Sequence, residues 1–216
     1  MARRAIHLYL LILQTLDRWR LRRLARRHPG LELHPQASTN FAWARFLLAE
    51  GAVLRIGAGA VCERRAEGVR FDLGPGAQVT IGEGCWLRSD LGPVQLVAFA
   101  GARIDLGRDC FLNGAHLSAK EHVELGERVF VGPGCRIFDS DQHDFDADRP
   151  ECTEPVRIGA HTWVASDATV LRGVEIGAHC VIGARSLVTR SIPDHSLAFG
   201  LPAEVRGRVG DRSKIR

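Results

Sequence analysis

The sequence predicts a mostly-β protein: a parallel β-helix of six-residue repeats over about residues 50–200, preceded by one α-helical segment. Three observations predict it. β-Branched aliphatic residues recur at a strict spacing of six, as Ile158, Val164, Val170, Ile176, Ile182 and Val188. The position four residues after each is small or modest: Thr162, Ala168, Val174, Cys180, Ser186 and Ile192. Glycine is abundant, at 23 residues, and aromatic residues are scarce, at 6%, which suits tight corners around a narrow core better than a helical bundle.

A six-residue step with an aliphatic residue at one place and a small one four later describes a short strand and a corner. Three steps close a triangular coil of 18 residues, the distance from Ile158 to Ile176. Each aliphatic side chain then points into the prism and stacks on its equivalent one coil away, while neighbouring coils pair as parallel strands. One coil cannot bury its own apolar face, so several must stack. The apolar fraction of 45% and charged fraction of 25% are those of a globular chain, and 216 residues suffice for one domain with a short appendage.

The first element, residues 1–49, reads as a basic and apolar helical segment. Leu8, Leu11, Ile12, Thr15, Leu16 and Trp19 follow helical spacing, and His28-Pro29-Gly30 ends the run. Arg3, Arg4, Arg18, Arg20, Arg22, Arg23, Arg26 and Arg27 face one acid there, Asp17, whereas the rest of the chain is slightly acidic. The formal charge of +4 therefore belongs to this segment. Its apolar stretch, Ala5 to Leu16, is too short for the roughly 20 residues that span a bilayer, and no A-x-A cleavage site follows it. A helix packed on the prism end and an interfacial helix resting on a membrane through residues 1–28 both remain open. Nucleic acid is the weakest reading, since no known module or aromatic interleaving accompanies the arginines.

The repeat continues upstream of residue 158 in fragments. Leu125, Val131 and Ile137 are six apart, as are Leu106 and Leu112, Ile81 and Leu87, and Ile56 and Cys62. Aliphatic-Gly dipeptides begin at 56, 81, 106, 125, 158 and 176, so some coils are longer than 18 residues and carry insertions. Cys85, Cys110, Cys135 and Cys180 fall in the small-residue slot, where cysteine acts as a small hydrophobe, and no C-x-x-C pair suggests zinc or redox chemistry. The chain is expected in a reducing cytoplasm, or peripherally at the inner membrane face. The 33 residues from Leu125 to Ile158 make one coil plus an insertion, roughly 139–155, which is polar and acidic and contains Pro150. It should leave the prism as an exposed loop. Residues 201–216 read as a basic tail.

Residues 139–146 are D-S-D-Q-H-D-F-D, followed by P-V-R-I-G-A-H-T-W-V-A-S at 155–166, I-G-A-H-C-V-I-G-A-R-S-L-V-T-R-S-I-P at 176–193 and F-G-L-P-A-E-V at 199–205. In order and spacing this stretch, about half the chain, resembles the hexapeptide-repeat acetyltransferases, in the branch that O-acetylates galactosides, maltose and surface polysaccharide sugars. The resemblance implies left-handed winding, which spacing alone does not give and which runs against the usual crossover hand. It also implies acetyl-CoA as donor, direct transfer to a saccharide or glycan hydroxyl, and a homotrimer with sites between subunits.

His143 in the loop would then be the general base, since imidazole titrates near the operating pH. Glu151 matches the carboxylate that orients such a histidine, with Asp139, Asp141 and Glu154 as competitors. Asn113, thirty residues before His143, matches an acceptor-binding asparagine, and Asp139 is a further candidate acceptor contact. Trp163, Ala165 and Ser166 would line the pantetheine cleft, with a backbone N–H near Ser166 facing the thioester oxyanion. Thr189 and Arg190 match a Thr-Lys step at the nucleotide end of CoA. Glu204 departs from the pattern, which has a basic residue there; Arg206 or Arg208 would substitute.

Three further readings stay open or are set aside on the residues. The same fold N-acetylates sugar nucleotides, and a non-catalytic trimeric scaffold could also carry these repeats. A zinc site like that of the γ-class carbonic anhydrases would need three convergent histidines. His116 and His122 lack that spacing and His143 stands alone in its loop, so no metal is expected, and with His161 they read as surface or core histidines.

Overall fold

A computed structural model describes residues 2–215, with the side chains of residues 2–5 and 8 excepted. The side chains of Arg3, Arg4 and Leu8 therefore lie outside the described residues. After one helix, Ala2–Arg27, the chain winds as a three-faced parallel β-helix. The expected columns run through it in strict register. On the first face Leu33, Ile56, Ile81, Leu106, Leu125, Ile158 and Ile176 stack coil upon coil. The second face stacks Cys62, Leu87, Leu112, Val131, Val164, Ile182 and Ala198. The third stacks Phe46, Phe71, Leu96, Leu117, Ile137, Val170 and Val188. These columns form one continuous core, nearly all of it fully buried.

The repeating glycine at the edge between first and second faces has a packing cause. Gly82, Gly107 and Gly126 have no positive φ. A Cβ on Gly107 would sit 2.6 Å from the carbonyl carbon of Gly126, and one on Gly82 would sit 2.4 Å from the Gly107 oxygen. Successive coils approach there more closely than any side chain allows. Next to these glycines Cys85, Cys110 and Cys180 turn inward and donate to carbonyls of the following coil, at 3.1 Å in each case. No cysteine is paired, and five of the six are buried, Cys152 on the loop being exposed. Burial pushes the Cys135 thiol up to about 11, which leaves it an inert packing group.

Two boundaries differ from the sequence reading. The β-helix does not wait for residue 50: Leu31–Leu33 pairs with Val53–Ile56, and Arg45–Leu48 with Val69–Leu73. That first coil has only Leu33 and Phe46 in its columns and a 3-10 turn, Thr39–Trp43, at its second corner, so no six-residue period marks it. At the other end, Ala203–Arg208 folds back antiparallel on Ser196–Gly200, so the expected tail begins as a strand of the second face. The 25-residue coils are explained by five-residue strands on the third face, Val69–Leu73 and Val94–Ala98, each entered through an enlarged corner.

The C-terminal half of the helix closes the prism end. Leu21 is buried and Leu24 packs against the core. Asp17 is only 4% exposed. It accepts from Trp43 Nε1 and Arg64 Nε, each at 3.0 Å. Away from these contacts Ile6, Tyr9, Leu10, Ile12, Leu16 and Trp19 are exposed along the helix. No helix is long and apolar enough to cross a membrane, among the described residues.

Candidate functional site

The insertion leaves the edge between third and first faces as a short hairpin. Its stem pairs Ser140 with Thr153, and Asp141 N–H donates to the Cys152 carbonyl at 3.1 Å. At its tip Asp146 closes the turn by accepting from the N–H groups of Asp148 and Arg149. His143 lies between stem and tip. It is exposed, and its ring has no hydrogen bond or ion pair among the described residues.

Side chains of the prism pin this hairpin from below. Lys120, one coil earlier on the same edge, sends its ammonium to Glu151 Oε2 at 2.7 Å and to the Gln142 carbonyl at 3.2 Å. Arg172, on the next coil, donates to Asp141 at 2.7 Å and pairs with Glu154. The Lys120 ammonium holds the Glu151 carboxyl below the usual glutamate range, and the Arg172 guanidinium does the same for Asp141.

Two expected roles change at this point. Glu151 faces Lys120 and makes no ion pair with His143, so the direct histidine–carboxylate contact is not made. Asp139 is fully buried, and its two oxygens accept from the backbone N–H groups of Lys120 at 2.8 Å and Glu121 at 2.7 Å. Its carboxylate is spent on the base of the loop and has no surface to offer an acceptor. Asp141 and Glu154 are likewise engaged by Arg172.

The remaining candidates sit elsewhere on the prism. Asn113 ends the strand Phe111–Asn113 at the edge between second and third faces; it is buried, and its Oδ1 has no hydrogen-bond partner among the described residues. Ala165 and Ser166 occupy the same edge two coils on. The Ala165 N–H is used in the ladder, on the Ile182 carbonyl at 2.9 Å, whereas that of Ser166 meets no backbone acceptor. Pro133, which has no N–H at all, is the equivalent residue in the coil below. Trp163 projects from the second face, 42% exposed. Thr189 and Arg190 are exposed on the loop's edge, beyond Arg172. Arg206 pairs with Glu204 at 2.9 Å on the last strand, so the departure at position 204 comes with its own counter-ion.

Within one chain, then, the candidates divide between two edges. His143, Glu151, Thr189 and Arg190 share the third-to-first edge, while Asn113, Ala165 and Ser166 share the second-to-third edge. The full width of the third face separates the two groups.

Some residues escaped the sequence reading. Lys120 and Lys214 are the only lysines against 27 arginines, and the one lysine in the prism stands beneath the loop; that rarity was a readable signal. His161, His179 and His195 stack at ring-centroid distances of 4.9 and 4.8 Å on the edge between first and second faces. The C-terminal segment lies against them, with Arg212 N–H donating to His179 Nδ1 at 3.0 Å and the Arg212 guanidinium 5.9 Å from the Trp163 ring. The spacing of 18 between His161 and His179 was a readable but unread signal of the stack; nothing foretold the segment laid across it. His122 pairs with Asp105 at 2.9 Å, and burial lowers the His116 pKa. No group of three or more potential metal ligands occurs among the described residues.

Comparison with known proteins agrees with this architecture. Residues 155–190 match the model of the bacterial transferase hexapeptide (six repeats). A probable acetyltransferase of Mycobacterium tuberculosis is 40% identical over 88 residues, which cover 38% of this chain and 29% of that protein. A galactoside O-acetyltransferase of Lactococcus lactis is 37% identical over 93 residues, covering 41% of this chain and 44% of its own length. The chain thus spans less than half of each of these two relatives. Among solved structures, the polySia-specific acetyltransferase NeuO superposes with a TM-score of 0.62 at 20% identity, over 86% of this chain and 78% of NeuO, a likeness of fold.

Proposed function

We propose that this chain, whose residues 155–190 match the bacterial transferase hexapeptide model and whose relatives include acetyltransferases, is an acetyl-CoA-dependent O-acetyltransferase acting on a saccharide or glycan hydroxyl. His143 takes the proton of the acceptor hydroxyl as that oxygen attacks the thioester carbonyl. The carbon–sulfur bond breaks, and His143 returns the proton to the departing thiolate, giving the acetyl ester and free CoA. The Ser166 N–H, free of the ladder, stabilises the oxyanion between these steps. Asn113 offers its unpaired Oδ1 to an acceptor hydroxyl, Trp163, Ala165 and Ser166 flank the pantetheine arm, and Thr189 and Arg190 meet the nucleotide end.

The observation that carries this reading is the division of the candidates between two edges of one prism. A loop histidine on one edge and an unpaired amide with a free N–H on another are incomplete halves. A neighbouring copy that sets its loop edge against the second-to-third edge completes them, and threefold repetition closes the ring as a homotrimer. The exposed side of the helix, with arginines 18, 20, 22, 23, 26 and 27 and with Tyr9, Ile12, Leu16 and Trp19, fits peripheral contact with the anionic inner face of a membrane. That contact would place the enzyme in the cytoplasm beside a lipid-linked acceptor. Sedimentation with phosphatidylglycerol vesicles but not phosphatidylcholine vesicles is the expected result.

The decisive assay is thiol release from acetyl-CoA with a panel of sugars and nucleotide sugars, for wild type and His143→Ala. A hydroxyl acceptor should stimulate release, and the variant should lose at least about 10²-fold. An amino sugar nucleotide as the sole effective acceptor would move the assignment to N-acetylation. Absence of both turnover and acetyl-CoA binding would leave a structural scaffold.

A further inference from the structure

We propose that Lys120 is a positioning residue for His143, its ammonium tying the Gln142 carbonyl down to Glu151 and so fixing the direction in which the loop presents the imidazole. The inference rests on the reading of His143 as the base.

Gln142 has φ of 70°, in the left-handed region that a residue with a side chain rarely adopts and that persists only where its surroundings hold it. What holds it is close at hand. Its carbonyl accepts from Lys120 Nζ at 3.2 Å, and its side-chain amide donates to Ser140 Oγ at 2.6 Å. The peptide unit is planar, so pinning the Gln142 oxygen also pins the N–H and Cα of His143. On the far side Asp144 accepts from Glu151 N–H at 2.7 Å. His143 is thus bracketed by two residues, both of which are tied directly or indirectly to Glu151.

The ammonium itself has little freedom. Lys120 and Glu151 side chains are 22% and 21% exposed. The Phe99 ring centroid lies 4.8 Å from Lys120 Nζ, and the Lys120 backbone is anchored by Asp139. A compact ammonium on a long stem carries three rotatable donors, enough to serve a carboxylate and a carbonyl at once. The single lysine of the prism is thus spent on the loop. It also gives Glu151 its task, to hold the lysine rather than the histidine.

The test is a double-mutant cycle of Lys120→Met and His143→Ala, assayed by thiol release with the best acceptor from the panel. Lys120→Met should lower kcat by up to about 10²-fold, the effect of a misplacement near 1 Å, with the KM for acetyl-CoA within about threefold of wild type. In the His143→Ala background the same substitution should change the residual rate by less than about twofold. Glu151→Gln, which leaves the ammonium in place, should show the same split with a smaller loss, and it serves if Lys120→Met folds poorly. Wild-type kcat in Lys120→Met and Glu151→Gln overturns the proposal. An undiminished effect of Lys120→Met without His143 also overturns it, because Lys120 would then act on substrate directly. If His143→Ala alone keeps full activity, the base assignment fails first, which is a separate outcome.

Discussion

Asp139 gives a sharp test of whether burial or sequence position decides its role. Each of its oxygens accepts a backbone N–H, from Lys120 and Glu121, and the side chain has no exposed surface. Asp139→Ala takes the carboxylate partner from both part-buried donors. A hydrogen bond to a charged acceptor contributes roughly 1.5–3 kcal/mol, so the two sum to about 3–6 kcal/mol. Relief from holding a buried carboxylate offsets part of that, giving a net loss of about 2–4 kcal/mol. For a chain of this length each kcal/mol moves Tm by about 2–4 °C, so a fall of roughly 5–15 °C is expected in a thermal melt followed by circular dichroism. Asp139→Asn should recover only part of it, because its NH2 would confront one of the two N–H donors. Tm within about 2 °C of wild type, together with a raised acceptor KM, would refute this reasoning and restore Asp139 to the acceptor site.

Two further outcomes follow from the packing and the charges. Gly107→Ala forces a Cβ against the backbone of the next coil and should cost on the order of 1–3 kcal/mol in a denaturant melt. Gly101→Ala, which meets nothing within 4 Å but has φ of 72°, should cost less, about 1 kcal/mol. The Tm difference between wild type and Lys120→Met should stay constant from about pH 8 to pH 5. It should shrink as pH falls below the ordinary glutamate range near ~4.3, because a carboxyl whose folded pKa is depressed contributes stability above its unfolded pKa and loses it as it protonates. A difference that grows on acidification would contradict the pairing.

Much of the fold was legible before any coordinates. Ile158 to Val188 announced their columns by spacing alone, because a coil of three equal faces repeats its inward positions at a fixed interval. The aliphatic-Gly dipeptides announced an edge where coils touch, and a polar insertion with Pro150 announced a loop carrying His143. The first coil was not legible, since Leu33 and Phe46 are separated by a corner of unequal length and keep no period.

The site was only half legible, for a physical reason. Sequence spacing reports which residues share an edge or face along the prism, and it was the resemblance of the motifs that nominated His143, Asn113 and Ser166. Neither reports what a side chain meets across the corner. Only the tertiary structure brought Lys120 beneath the loop, turned Glu151 toward that ammonium and buried Asp139 against two backbone amides. Those partnerships were decided by the stacking of neighbouring coils, which sets residues from 18 to 31 positions apart against one another. The sequence determined the prism and its candidate base; the packing of coil on coil decided which charges serve the loop and which remain free for an acceptor.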